Sequence, residues 1–120
     1  MDDFKYNVSV IVPIYNVEKF IARCVKSLME QSLDRVEYIF IDDATPDNSI
    51  VILKEVLSYY PQRSLHCQII KHEKNKGLPA ARNTGLSLAK GQYIFHCDSD
   101  DFVEHDMLKF MYEKAVETQA

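Results

Sequence analysis

The most constraining feature of this chain is an alternation. Short runs of β-branched and apolar residues alternate with stretches whose apolar residues recur at helical spacing. Val8-Ser9-Val10-Ile11-Val12-Pro13-Ile14 is nearly continuous in apolar character, the pattern of a parallel strand covered on both faces. Pro13, with no N–H to give, belongs at its end. Asn16 then reads as a helix N-cap. Val17, Phe20, Ile21, Cys24, Val25 and Leu28 follow on one helical stripe. The cycle repeats three times. Val36–Ile41 predicts a strand stopped by Asp42-Asp43, and Ile50 to Tyr60 a helix that ends before Pro61. Residues 67–72 predict a weaker strand at a sheet edge. A helix follows, opening near Pro79 and running through Leu88, with Gly91 past its end as a C-cap. Gly85 inside that helix costs about 1 kcal/mol against alanine, which predicts close packing against a neighbouring element. Residues 92–97 predict a fourth strand, stopped by Asp98-Ser99-Asp100-Asp101, and Leu108 to Ala115 a last helix. Strands alternating with helices imply an α/β fold with a mainly parallel sheet and helices on both faces.

Composition narrows the function. The chain has 120 residues, of which 47% are apolar, with 14 basic and 18 acidic residues and a formal net charge of −4. One domain with a real core fits this length. The acidic balance and the lack of a basic run argue against nucleic acid as a partner. Cys24, Cys67 and Cys97 share no metal-type spacing and read as reduced, mostly buried thiols. No basic leader precedes the first strand, since Met1-Asp2-Asp3 is acidic, and no apolar run reaches the ~20 residues of a membrane span. The expected location is therefore the cytoplasm or its membrane face.

Ligands of open parallel sheets bind beyond the carboxyl ends of the strands. There this sequence places Pro13-Ile14-Tyr15-Asn16, Asp42-Asp43 and Asp98-Ser99-Asp100-Asp101. Acids gathered on one rim repel one another, and a divalent cation with a preference for oxygen ligands, Mg²⁺ or Mn²⁺, would relieve that cost. Asp47 and Asp106 read as helix-start charges. The stretch Lys71-His72-Glu73-Lys74-Asn75-Lys76 reads as a solvated loop. His66, His72, His96 and His105 lack zinc spacing, and His96 reads as a packed core or rim residue. His96 and Cys97 face opposite sides of a strand and so form no dyad. A dinucleotide-binding domain would need G-x-G-x-x-G after the first strand, where this chain has Pro-Ile-Tyr-Asn. A phospho-acceptor signalling domain would carry its acid pair after the first strand, whereas Asp42-Asp43 follows the second.

Four segments carry a resemblance. Residues 8–16, residues 41–49, the segment Asn75-Lys76-Gly77-Leu78-Pro79-Ala80-Ala81-Arg82-Asn83-Thr84-Gly85 and the D-x-D motif Asp98-Ser99-Asp100-Asp101 resemble, in that order, the motifs of family 2 glycosyltransferases. The resemblance implies a Rossmann-like GT-A three-layer α/β/α sandwich. It also implies transfer of a sugar from a nucleoside diphosphate sugar, UDP-linked by expectation, to an acceptor hydroxyl with inversion, in polysaccharide or glycan synthesis. By that resemblance Pro13, Tyr15 and Asn16 line the nucleotide pocket, and Asp43 accepts from the ring N–H of a uracil-type base. Asp98 lies near the ribose, Ser99 joins the nucleotide-sugar site, Asp100 binds Mn²⁺ or Mg²⁺ at the diphosphate, and Arg82 orients the donor or offsets its charge. Ala44-Thr45-Pro46 departs from the usual Gly-Ser-Thr, and Pro46 removes a backbone donor. An acceptor hydroxyl needs a general base, which the family draws from a later segment. Residues 1–120 are therefore expected to form the donor-binding portion of a longer transferase. Its partners are a nucleotide sugar and a glycan or lipid-linked acceptor, with room for peripheral membrane association through sequence beyond residue 120. The alternative is a module that binds a nucleotide sugar without turnover.

Overall fold

The computed structural model describes residues 4–118; the acidic start Met1-Asp2-Asp3 lies outside them. Among the described residues nine elements follow one another: β1 (Tyr6–Ile14), α1 (Ile21–Met29), β2 (Val36–Asp42), α2 (Ser49–Leu57), α3 (Pro61–Ser64), β3 (Cys67–Lys71), α4 (Leu78–Leu88), β4 (Gly91–His96) and α5 (Met107–Thr118). The four strands form one parallel sheet in the order β3-β2-β1-β4. The chain is thus an α/β protein, as the alternation predicts.

Register decides which side chains meet which helix. Val8, Val10, Val12 and Ile14 of β1 share a face with Val36, Tyr38 and Phe40 of β2. They pack there with Ile21, Cys24, Val25 and Leu28 of α1, Leu53 and Leu57 of α2, and Leu108 of α5. The opposite face carries Ile39 and Ile41, against Ala81 of α4. Period two along each strand and one apolar stripe per helix therefore give the three layers. From β1 the chain steps to β2 and β3 in one direction, then returns past β1 to β4 in the other. Right-handed crossovers in opposite directions must lie on opposite faces, which puts α4 on the second face, the one helix there among the described residues. The direction reverses between β1 and β4, and there the strand ends part to leave a crevice.

Several local expectations are corrected. Asn16 does not cap α1. It adopts a left-handed conformation, φ 56°, and residues 17–20 form a turn in which the Val17 carbonyl accepts from the Phe20 and Ile21 amides. Gly91 is no C-cap. It opens β4, and a Cβ there would lie 2.6 Å from the Ser9 nitrogen, so the α4–β4 connection lies directly on β1. Buried Glu37 secures this corner by accepting from Ser9 Oγ and the Lys90 amide, each at 2.6 Å. His96 is exposed, because β4 is an outer strand among the described residues. Gly85 does pack closely: a Cβ there would stand 2.4 Å from Ile11 Cγ2. Pro13 sits one residue inside β1. The Ile11 carbonyl accepts from Cys97 on the β4 side, and alternation turns Pro13 the same way, past the last β4 pair, where no N–H is needed. All three cysteines are free; Cys24 and Cys97 are buried and Cys67 half-buried. Among the described residues no helix is long and apolar enough to cross a membrane.

Candidate active site

A cleft of about 380 Å³ opens at the carboxyl ends of the strands. It is lined by Pro13, Ile14, Tyr15 and Val17 at and after the end of β1, Asp43 after β2, Asn75, Gly77, Leu78 and Ala81 at the entry to α4, and Asp98, Ser99 and Asp100 after β4. Of the residues singled out from sequence, Pro13, Tyr15, Asp43, Asp98, Ser99 and Asp100 line this one cleft. Asn16 and Arg82 do not. Asn16 is exposed, and its amide donates to Thr45 Oγ1 at 2.9 Å. Arg82 stands at the rim on α4, where its Nη2 meets Asp98 Oδ1 at 3.3 Å, both side chains well exposed.

Asp42 and Asp43 are adjacent and do different work, because neighbouring strand residues face opposite ways. Asp42 turns from the cleft and its Oδ1 accepts from the Thr45 amide at 3.0 Å. Asp43 points into the cleft floor and is 3% exposed. Its Oδ1 accepts from His72 Nδ1 at 2.8 Å and the Lys76 amide at 2.9 Å, and its Oδ2 from the Gly77 amide at 2.9 Å. Burial alone pushes the Asp43 carboxyl up, but the bonds from His72, Lys76 and Gly77 outweigh it and hold the group below its usual range. The group is thus ionised at neutral pH, and the cost of clustering acids is not borne there. Gly77 can aim its amide at Oδ2 because it takes φ 91°, a region open to glycine at little cost.

The stretch after β3 is no simple solvated loop. His72 is buried, 7% exposed, and with residues 76–77 it wraps Asp43. Period two could have found it: His72 lies two residues beyond Ile70, which packs with Ile39, Ile41 and Ala81 under α4. The turn after β2 is built around Asp47. Asp47 Oδ1 accepts from Thr45 Oγ1 and from the Ser49 amide and hydroxyl, and Oδ2 from the Glu18 amide. Burial raises this carboxyl, yet the four donors bring it down to about 2. Asp47 thus stands as a charge at the start of α2, one residue before the N-cap position Asn48, where it accepts from the amide of the first helical residue, Ser49. Ala44 takes φ 57° in this turn, a conformation that costs a residue with a Cβ about 1 kcal/mol or more.

On the far side of the cleft Asp98, Asp100 and Asp101 are exposed, and one carboxylate oxygen of each lies within 4.8 Å of the others. The Asp101 amide donates to the Asp98 carbonyl at 3.0 Å, a tight turn that keeps the three acids together. An all-carboxylate set of this kind fits a hard divalent cation that retains waters. Behind it, Ser27 of α1 and Gln31, two residues past that helix, hold the following loop: Ser27 Oγ accepts from the Val103 amide, and Gln31 bonds the Val103 and Glu104 carbonyls and the Leu108 amide. Arg82 Nε is buried without a hydrogen-bond partner among the described residues. A buried unpaired donor is costly, and an anionic ligand at the rim would remove that cost.

The arrangement matches known proteins in sequence and in fold. Residues 9–120 match the model of Glycosyl transferase family 2. The chain is 43% identical over 112 residues to the uncharacterized glycosyltransferase EpsJ of Bacillus subtilis, covering 93% of this chain and 31% of EpsJ. Its fold superposes on TarS of S. aureus, residues 1–349 in complex with UDP, with TM-score 0.81 and 30% identity, covering 92% of this chain and 32% of that one. TarS has also been crystallized with UDP-GlcNAc. A mannosyltransferase of Pyrobaculum calidifontis, in complex with GDP-Man and Mn²⁺, aligns with TM-score 0.74 and 25% identity, covering 83% of this chain and 29% of that one. The chain spans about a third of the length of these relatives. With four motifs converging on one cleft, and a family match over nearly its whole length, the chain belongs to glycosyl transferase family 2.

Proposed function

We propose that this protein contributes the donor site of an inverting glycosyltransferase that takes a sugar from a UDP-sugar to an acceptor hydroxyl on a growing glycan. One observation carries the reading. The cleft faces an ionised, buried carboxylate, Asp43, with a cluster of exposed carboxylates, Asp98, Asp100 and Asp101. The first suits a base N–H, the second a cation on a diphosphate. Tyr15, 43% exposed beside Pro13, offers a ring on which a base can lie. The UDP and UDP-GlcNAc complexes of TarS support a uridine donor, and the Mn²⁺ complex of the mannosyltransferase supports a divalent cation.

In this reading Asp43 accepts from the base and Asp98 and Ser99 sit by the ribose. Asp100, with Asp98 and Asp101, would hold Mg²⁺ or Mn²⁺, which when bound offsets charge developing on the departing diphosphate. Arg82 swings from Asp98 to the phosphates, a small loss because exposed ion pairs are worth ~0–1 kcal/mol. As the bond from the anomeric carbon to the diphosphate breaks, the acceptor oxygen attacks from the opposite face and gives up its proton to a base. The cleft carboxylates are committed to the base, ribose and cation, so the general base is assigned to sequence outside this chain, and this chain alone binds donor without turnover. Free thiols fit a reducing compartment, and we place the protein in the cytoplasm.

Calorimetric titration with UDP, with and without Mn²⁺, tests the reading. Binding should require the metal and disappear in Asp100→Ala. Equal binding without metal would overturn the role given to Asp100, and full sugar transfer by this chain alone would overturn the external base.

A further inference from the structure

A hydrogen-bonded relay runs behind Asp43 into α4. Asp43 Oδ1 meets His72 Nδ1 at 2.8 Å, and His72 Nε2 meets Thr84 Oγ1 at 2.8 Å. Thr84 Oγ1 also lies 3.1 Å from the Ala80 carbonyl, which can take its hydrogen. An ionised carboxylate only accepts, so Nδ1 carries hydrogen whatever the state of the other nitrogen. The Thr84 hydroxyl fits both states of Nε2: it can donate to it, or accept from it while turning its own hydrogen to Ala80. His72 is thereby fixed as a donor to Asp43 from one side.

The consequence is a count. A carboxylate offers about four acceptor positions, two on each oxygen. On Asp43, Oδ1 is filled by His72 and the Lys76 amide, and Oδ2 holds only the Gly77 amide among the described residues. One acceptor position remains, on Oδ2. Such a site takes a single N–H donor. A base edge with two adjacent donors, as guanine presents, needs both oxygens and would find Oδ1 occupied.

We propose that His72, held by Thr84, is a positioning residue that selects the base. It saturates Oδ1 and so makes the cleft prefer a base with one imide N–H, such as uracil, over guanine. This rests on the nucleotide-sugar reading above and adds the origin of its selectivity.

The test is calorimetric titration with UDP and, separately, GDP, in the presence of Mn²⁺. His72→Gln places its amide nitrogen near the Nε2 position and removes the donor to Asp43. His72→Asn places its amide nitrogen near Nδ1 and restores it. We expect His72→Gln to lose UDP affinity by about tenfold, equivalent to 1.4 kcal/mol, while GDP affinity holds or rises. We expect His72→Asn to recover UDP affinity to within about threefold of the parent protein (0.7 kcal/mol). Thermal melts of both variants check folding, and imidazole ¹⁵N shifts of the parent protein should show Nδ1 protonated. UDP-over-GDP preference unchanged in His72→Gln, or an unprotonated Nδ1, would overturn the inference while leaving the nucleotide reading intact. A parent protein that binds neither nucleotide would overturn the nucleotide reading, and with it this role for His72.

Discussion

Gly85→Ala is the most informative single change outside the cleft. Gly85 sits on the face of α4 that lies against β1. An alanine Cβ would stand 2.4 Å from Ile11 Cγ2, 3.1 Å from Cγ1 and 3.2 Å from Cδ1. Ordinary contacts begin near 3.4 Å, so about 1 Å of separation must be found. Ile11 is fully buried in a central strand and has little room to turn. Helix propensity favours alanine by about 1 kcal/mol, whereas overpacking a filled core costs about 1–3 kcal/mol, more if backbone must move. The steric term wins here because the clashing atom is a methyl carbon bonded directly to Cβ of a buried side chain, which puts the overpacking cost in the upper part of that range, about 2–3 kcal/mol, and leaves a net loss of about 1–2 kcal/mol. At about 4 °C per kcal/mol for a domain of this size, the melting temperature should fall by about 4–8 °C, read by circular dichroism. The same displacement carries Arg82 and Thr84 outward, so UDP affinity should weaken too. A cycle with Ile11→Ala isolates the contact: the two losses should fall short of additivity by about 1 kcal/mol. A melting temperature equal to or above that of the parent protein, or strict additivity, would refute this account of the glycine.

Two further predictions concern the turn and the rim. The Asp47 carboxyl titrates at about 2 in the folded chain against 3.8 in the ordinary case. A depressed folded value means its contribution is complete above pH 3.8 and lost as the pH falls through 2. Urea midpoints should therefore drop by the equivalent of about 1–2 kcal/mol over that window, and the Asp47-dependent part of the drop should vanish in Asp47→Asn. Arg82→Ala should weaken UDP by about tenfold yet leave uridine, which lacks phosphates, within about twofold; an equal loss for both would mean that Arg82 shapes the pocket and does not meet the diphosphate.

The layers and the location of the cleft were legible because they depend on patterns that sequence carries directly. The apolar runs of β1 and β2, the helical stripes, and the acids at strand ends lead to the observed strands and to one crevice. What was not legible depends on partners distant in sequence. Asp42 and Asp43 both looked like site residues, and only the pleat separates them: Asp42 serves the Thr45 amide, Asp43 the cleft. His72 was hidden among five charged or polar neighbours, although its spacing from Ile70 placed it on the buried face. Asn16 looked like a cap by residue type, yet its left-handed backbone and the Thr45 contact belong to a turn. Gly91 looked like a helix stop and proved to be a contact surface for β1.

The strand order has a kinetic meaning. β1 meets β2 early in the chain, with Ser9 and Glu37 only 28 residues apart. It meets β4 across a far longer stretch, Ser9 to Gly91 being 82 residues. Closing the longer loop costs more entropy, and non-local parallel pairing is slow. A refolding chain should therefore form the β1–β2 side, with Asp43 near its place, before the acids after β4 arrive. A ligand that bridges both sides cannot speed the first step, but it should slow the departure of β4 and so lengthen the life of the folded state.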